Sequence, residues 1–364
     1  MMDELHAAQP VKLAKSRFAL GFEDWRSIAL VTIGPILAAF ILCGFALLLT
    51  GTDPFAYYAY VFERGVLSPQ GLQQTLTRMA PLLLHAASLI IAFRAGIWNL
   101  GGDGQFLLGA VMAAALAPLL ITVLPDWITL PVCMVFAMLV GAAWTLIPAL
   151  LRAYQGVNEI ITTLMMTFLG TSFANVLVKL IFLDPATTVP QTRTLPVADR
   201  LPWLPGTTIS SGLLIGLVAV IAVHIVMTRT AFGLRLRIVG ANARAALHAG
   251  LPVSALTVCV FALSGALAGL GGATDILGVF GNVRADWNPA YALAVVPLVF
   301  IARFNGYAAI AFVFFYAVLD IGGESAARRL GVPQHFTLIL VATMFILLAL
   351  AEWLDQRRRA AQGI

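Results

Sequence analysis

Stretches of about 17 to 25 apolar residues recur from one end of this chain to the other, each long enough to cross roughly 30 Å of hydrocarbon as a helix. With 60% hydrophobic residues, 11% charged residues and a mean hydropathy of +0.93, the chain lies far outside the range of soluble domains. In lipid every backbone N–H and C=O must be satisfied within the spanning element, which leaves helices or a closed barrel. Strand-like alternation is absent, which argues against a barrel. The fold class is therefore all-α: a polytopic membrane protein of about ten transmembrane helices in two weakly related halves.

The apolar windows predict helices over 28–50, 77–93, 104–124, 127–151, 159–182, 210–228, 253–279, 288–303, 305–321 and 335–352. Residues 1–27 read as a cytoplasmic N-terminal segment, 28–352 as the membrane domain, and 353–364 as a basic cytoplasmic tail. The run from Ile28 to Thr50 is too long for a signal-peptide core and lacks a small-x-small cleavage pattern, so it reads as a retained first helix. Ten crossings return both termini to one side. Placing that side in the cytoplasm puts 14 of the 22 Lys and Arg there, among them Lys12, Lys15, Arg17, Arg26, Arg357, Arg358 and Arg359, in keeping with a positive-inside bias. The basic residues are dispersed and carry no DNA or RNA motif, so no nucleic-acid partner is expected. Cys43, Cys133 and Cys259 all fall inside apolar runs, without paired or metal-ligand spacing, and read as packed small hydrophobes.

Polar residues inside such a chain are costly and point to function. The segment from Phe93 to Gln105 sets Gly96, Gly101, Gly102 and Gly104 among Arg94, Asn99, Asp103 and Gln105. Two readings stand. In one, the glycines break a helix at membrane depth, and Asn99, Asp103 and Gln105 offer contacts to a polar neutral solute on its path. In the other, the segment is a tight cytoplasmic turn in which Asp103 caps the next helix and Gln105 faces water. Asn158 and Glu159 sit where a helix starts and suit capping; Thr163 and Thr167, four apart beyond them, share a face that can line a pathway or bond its own helix.

Gly265, Gly269 and Ala273 repeat at four-residue spacing and suit backbone-to-backbone helix packing. His85 and His224 stand alone on apolar helices and read as hydrogen-bonded core residues. Asp320 and Glu324 read as a charge cluster near a helix end, with Arg328 able to pair with Glu324. Gly271, Gly272, Gly281, Trp287 and Asn288 loosely repeat the first glycine-rich break in the second half, an arrangement suited to alternating access.

Two loops are longer than a turn requires. The outer one, 184–209, is rich in Pro and Thr, and is either an ordered cap facing an external partner or a solvated connection. The inner one, 229–251, contains a short helix: Asn242 can cap it, Ala243 to His248 propagate it, and Gly250 stops it. Such a helix suits docking into a groove on another protein. No Walker A sequence, nucleophile elbow, buried carboxylate pair or metal-ligand set occurs, so no catalysis, metal or cofactor is expected in this chain.

At these residues the chain resembles the permease subunits of bacterial ATP-binding-cassette importers for nucleosides and simple sugars, a branch whose receptor is a basic-membrane-protein type lipoprotein. Phe93 to Gln105 resembles F-R-A-G-x-F-N-I-G-A-E-G-Q; Asn158 to Met165 resembles N-E-x-I-x-T-x-M; Ser264 to Gly272 resembles S-G-A-L-A-G-L-A-G. Gly233 to Gly250 resembles the family's coupling loop, which assigns ATPase coupling to Arg237, Gly240, Asn242, Ala245, Ala246 and Gly250. The resemblance covers nearly everything after Gly71. It implies a bacterial inner-membrane importer with lipid around it, a second permease subunit (the same chain or a sister), an external solute-binding lipoprotein, and partner ATPase subunits that bind ATP and Mg. The chain departs from the family at Trp98, Gly102 and Asp103, at Met166 to Phe168, and after Ala290, which leaves the solute open. A nucleoside or related solute is the first expectation, a simple sugar the second. An ion-coupled transporter working alone is the third and would need a titratable group at the midplane, for which His85, His224 and Asp103 are the candidates.

Overall fold

In a computed structural model, residues 22–333 and 336–361 are described. Lys12, Lys15 and Arg17, and with them most of the expected N-terminal segment, lie outside the described residues, as do the last three residues of the basic tail. The described chain divides into two compact units. One is α1 (Phe22–Leu49) as far as Cys43 with α14 (Phe336–Ala361) from Thr343; the other is Gly44–Ala342. The second unit holds α2 (Pro54–Phe62), α3 (Pro69–Arg94), α4 (Gly102–Leu120), α5 (Asp126–Trp144), α6 (Leu146–Gln155), α7 (Glu159–Val176), α8 (Gly212–Arg229), α9 (Ala231–Ala241), α10 (Ala243–His248), α11 (Val253–Asp275), α12 (Tyr291–Ile301) and α13 (Gly306–Leu330). Among the described residues eight helical spans are long and apolar enough to cross a bilayer, and the shorter apolar stretches Ile33–Leu49 and Tyr291–Ile301 account for the other two expected windows. The protein is an all-α, multi-pass membrane protein.

α3 and α4 are the central helices of the second unit: 78% and 72% of their spanning windows are buried, against 28% for α7. α7 turns Ile161, Met165, Phe168, Leu169 and Phe173 outward, an apolar surface that suits lipid. α11 packs against α3, α4 and α5. It does so at backbone range, because a Cβ on Gly265 would strike the Gly141 carbonyl, one on Gly269 the Ala137 carbonyl, and one on Gly272 the Phe106 carbonyl. Dispersion between closely set backbones replaces the hydrophobic drive that lipid cannot supply.

Several boundaries differ from the sequence expectation, each for a local reason. α3 begins at Pro69 rather than 77, capped by Ser68, whose hydroxyl accepts from the Gly71 N–H at 3.1 Å. Its first turns carry Gln70, Gln73, Gln74, Thr77 and Arg78, which an apolar window rejects. α13 continues through Gly322, Gly323 and Glu324 to Leu330 and stops at Gly331, where φ is +68°. The expected helix over 127–151 divides at Thr145, whose hydroxyl donates to the Ala142 and Phe261 carbonyls at 2.7 and 3.0 Å. The short helices α2 and α9 were not expected. The 184–209 segment is ordered: its backbone pairs with 277–285 through Leu201 N–H to Leu277 O (2.8 Å), Leu195 N–H to Gly281 O (2.9 Å) and Thr192 N–H to Val283 O (3.0 Å).

Candidate functional site

α3 ends at Arg94, and Gly96 takes a left-handed φ of +70°, a turn that a residue with Cβ resists. The chain then folds back along α3. Asn99 Nδ2 donates to Ser264 Oγ at 2.8 Å, and that hydroxyl lies 2.8 Å from Ser88 Oγ, six residues or about 9 Å before the end of α3. α4 therefore starts inside the span, beside His85. A Cβ on Gly102 would lie 3.7 Å from His85 Nε2.

A broken helix leaves backbone groups to satisfy, and side chains do so here. Asn99 and Gln105 face one another in a reciprocal pair: Asn99 Nδ2 donates to Gln105 Oε1 at 3.1 Å and Gln105 Nε2 to Asn99 Oδ1 at 3.0 Å. Asn99 Oδ1 also accepts from the Gly101 N–H at 3.1 Å. Thr163 and Thr167 on α7 grip the Leu100 peptide: Thr163 Oγ1 accepts its N–H at 3.2 Å and Thr167 Oγ1 donates to its C=O at 2.9 Å. Thr163 also donates to the Glu159 carbonyl at 2.6 Å. Asn99, Gln105 and Thr163 are buried, as is Asp103. Of the two readings of the segment, its backbone geometry is that of a break inside the span, and Gln105 does not face water.

A second break mirrors the first. α11 widens into a π-helical turn over 276–280, Gly281 turns left-handed at +72°, and an extended stretch leads back to Ala290 and α12. Asp103, in the first turn of α4, accepts the Ala292 N–H of α12 at 2.9 Å. One carboxylate thus stands between the positive ends of two half-helices that start inside the span from opposite directions. The tyrosine that begins α12 accepts from Arg78, NH1 to Tyr291 OH at 2.8 Å.

Arg78 also lies 3.3 Å from Asp320 and 3.3 Å from Glu324. This corrects the expected pairing of Glu324 with Arg328: α13 does not end at 321, so its carboxylates face α3 instead. His85 is likewise corrected. It is fully buried against Phe106, ring centroids 5.3 Å apart, and its Nε2 has no hydrogen-bond partner among the described residues. His224 Nδ1 accepts the Gly306 N–H at 3.1 Å.

At the other end of α3, Gly240 of α9 lies on the first break. A Cβ on Gly240 would come within 2.6 Å of the Arg94 carbonyl, and one on Gly96 within 3.0 Å of Gly240 Cα and O. α10 follows at once, with Asn242 Oδ1 accepting the Ala245 N–H at 3.0 Å. Gly250, with φ at +77°, follows the helix. Ala246 is buried, while Arg237, Asn242, Ala245 and Leu247 are exposed. Among the described residues no group of three His, Cys, Asp or Glu is placed to hold a metal ion.

Residues 71–349 match the family described as branched-chain amino acid transport system / permease component. The chain belongs to this permease family. It is 33% identical over 336 residues to the glucose ABC transporter permease protein TsgB13 of Haloferax volcanii, covering 89% of this chain and 87% of that protein. It is 27% identical to the nucleoside ABC transporter permease protein NupB of Lactococcus lactis, covering 88% and 90%. It is 28% identical to the guanosine ABC transporter permease protein NupP of Bacillus subtilis, covering 76% and 80%. No solved structure matches the chain. It is thus an ABC-importer permease subunit for a small polar solute, spanning the membrane several times.

Sequence reasoning about this permease placed Asn99, Asp103, Gln105, Thr163 and Thr167 on one path, and the structure brings four of them together around Leu100. Asp103, on α4, stands apart from them and bonds the Ala292 N–H of α12. Ser88 and Ser264 were missed as polar partners, Ser264 having been read only as part of a packing stretch. Arg78 was missed as the hub of an ion cluster because the window that contained it began one residue earlier. Outside the spans, Arg200 donates to the Leu195 and Val279 carbonyls at 3.0 and 2.6 Å, and partial burial lowers its pKa from the ordinary guanidinium value without discharging it near neutrality.

Proposed function

We propose that the chain is the translocating subunit of an ATP-driven importer, accepting a nucleoside or related neutral polar solute from an external binding protein. A partner ATPase supplies the energy and a second permease subunit completes the pathway. The observation that carries this reading is the pair of half-helices meeting at Asp103: it joins the two halves inside the span, where a small relative displacement opens one side and closes the other. Both termini and α10 then lie in the cytoplasm. α10 is the contact for the ATPase, with Arg237, Gly240, Asn242, Ala245, Ala246 and Gly250 as the coupling residues. Closure of the nucleotide-bound ATPase shifts the permease only to the extent that it binds one permease conformation better than the other. The path inward is short. α10 is separated from α9 by Asn242 alone, and Gly240 of α9 touches Arg94 to Gly96, where the first break begins. Asn99, Asp103, Gln105, Thr163 and Thr167 flank the solute pathway and keep the break at a fixed geometry while the halves move.

A sugar is the second reading, favoured by the 33% identity to a glucose permease. Reconstitution separates the classes. Vesicles holding this chain with its ATPase, second permease subunit and binding protein should accumulate solute against a gradient only with ATP. Accumulation by the chain alone, driven by an ion gradient, would replace this reading with a secondary transporter.

A further inference from the structure

Four aromatic rings lie together on the α10 side of the two breaks. Phe93 is next to last in α3 and Trp98 stands in the first break; Phe300 is next to last in α12 and Phe304 lies in the turn that leads to α13. Ring centroids are 5.0 Å apart for Phe93 and Trp98, 4.9 Å for Phe93 and Phe300, 5.3 Å for Trp98 and Phe300, and 5.3 Å for Phe300 and Phe304. Each half of the chain thus contributes two rings. Phe300 sits eight residues, or about 12 Å, along α12 from the Ala292 N–H that Asp103 holds. A cluster that served packing alone would be buried. Here Trp98 is 38% exposed and Phe300 and Phe304 are half-buried, so the rings border open surface, beside the Thr163 hydroxyl that lies 3.3 Å from the Trp98 carbonyl oxygen.

The α12 side of the cluster is built to move. Pro297 inside α12 lacks the N–H that would bond the Leu293 carbonyl, which loosens the last turn, the one carrying Phe300. Beyond it Arg303 and Phe304 take φ of +50° and +58°, two successive left-handed residues with no glycine between them. Side chains resist that conformation, and it persists only where neighbours hold it. Arg94 does the holding: its Nε and one terminal nitrogen both donate to the Phe304 carbonyl, at 3.1 and 2.9 Å. The same residue meets α9 through its backbone, at the carbonyl that a Cβ on Gly240 would strike.

We propose that Phe93, Trp98, Phe300 and Phe304 are the inner gate of the solute pathway, and that Arg94 is the positioning residue that latches it shut. A polar solute with its water cannot cross an apolar constriction of packed rings until the rings part. The latch links the gate to the motor. A displacement of α9 presses on the Arg94 backbone through Gly240, and the Arg94 side chain then gives up the Phe304 carbonyl. The left-handed turn relaxes, and Phe300 and Phe304 swing away from Phe93 and Trp98 about Pro297. The outer side of the Asp103 joint is untouched by this step, so the gate opens one face alone.

The proposal rests on the reading of the chain as the translocating subunit of an importer, and the test keeps the two apart. Vesicles holding the complete importer are loaded by ATP-driven uptake of radiolabelled uridine or glucose, ATP is then removed, and the loss of accumulated solute is followed. Trp98→Ala is expected to lose it on the order of tenfold faster than wild type, with ATP hydrolysis and complex yield retained. Trp98→Phe keeps a ring at that place, and its leak should match the wild type. Arg94→Gln removes the doubled bond to Phe304 and should raise the leak severalfold. Phe300→Leu, which keeps most of the volume and loses the ring, should leak faster as well and stands in if Trp98→Ala does not assemble. Wild-type leak rates in all three of the ring-removing and latch variants, or Trp98→Phe leaking as fast as Trp98→Ala, overturn the gate while ATP-driven uptake by the wild-type complex still stands. A wild-type complex that accumulates neither probe with ATP overturns instead the permease reading on which the gate rests.

Discussion

At the first break the chain is held by side chains. Asn99 and Gln105 close a reciprocal carboxamide pair, Ser88 and Ser264 extend it, and Thr163 and Thr167 take both polar groups of the Leu100 peptide. At the second, the extended stretch is held by backbone pairing with the 184–209 segment, by side-chain bonds to Thr192, Thr194 and Asn175, by Asp103 at the Ala292 N–H, and by Arg78 at Tyr291. The first is a buried joint that touches Gly240 of α9; the second borders a cavity whose wall includes the buried Asp275. Equivalent breaks in two halves have thus been given different work. Where polar groups satisfy one another, as around Leu100, the break can act as a rigid lever.

The comparison is most easily broken at the lever. Gly240→Val forces a branched side chain against the Arg94 carbonyl and the Gly96 backbone, where even a Cβ has no room. A loss of at least tenfold in ATP-driven uptake, with an assembly cost of about 1 to 3 kcal/mol, is expected. Uptake assays and complex yield from the same preparation check both figures. Asn99→Leu tests the saturation of the first break, since it strips partners from Gln105, Gly101 and Ser264 together. Denaturant unfolding in detergent should register about 3 kcal/mol of lost stability, well above a single surface contact. The smallest effect belongs to the rim of the second break. Lys179 and Asp286 are paired at 3.0 Å but 42% and 74% exposed, so Lys179→Ala should change stability by less than about 0.5 kcal/mol. A large effect there would mean that an exposed ion pair, rather than the pairing with the 184–209 segment, holds the second break.

The spans were legible because hydrocarbon imposes length and composition on each helix, and ten apolar windows have counterparts in eight long spans and two shorter stretches. The cap of α10 was legible for a similar reason: Asn242 and the helix formers after it are local signals. Ends bearing polar residues were not. Gln73, Gln74 and Arg78 lie in α3, and Glu324 in α13, because they face one another across a cavity, a satisfaction that no window along one segment can register. Partners distant in sequence were equally hidden. Asn99 bonds Ser264 and Asp103 bonds Ala292, so the residue types signalled polar work at the break without naming what they would meet.

The central claim is that motion enters at α10 and reaches the break through Gly240. Ala246→Pro tests it most directly, because it removes the N–H that bonds the Asn242 carbonyl at 3.0 Å and so unravels α10 at its buried residue. In vesicles holding the full importer, ATP hydrolysis and solute uptake are measured together. Hydrolysis that continues while uptake per ATP falls at least tenfold is the predicted result; an unchanged ratio with unchanged uptake would contradict the account.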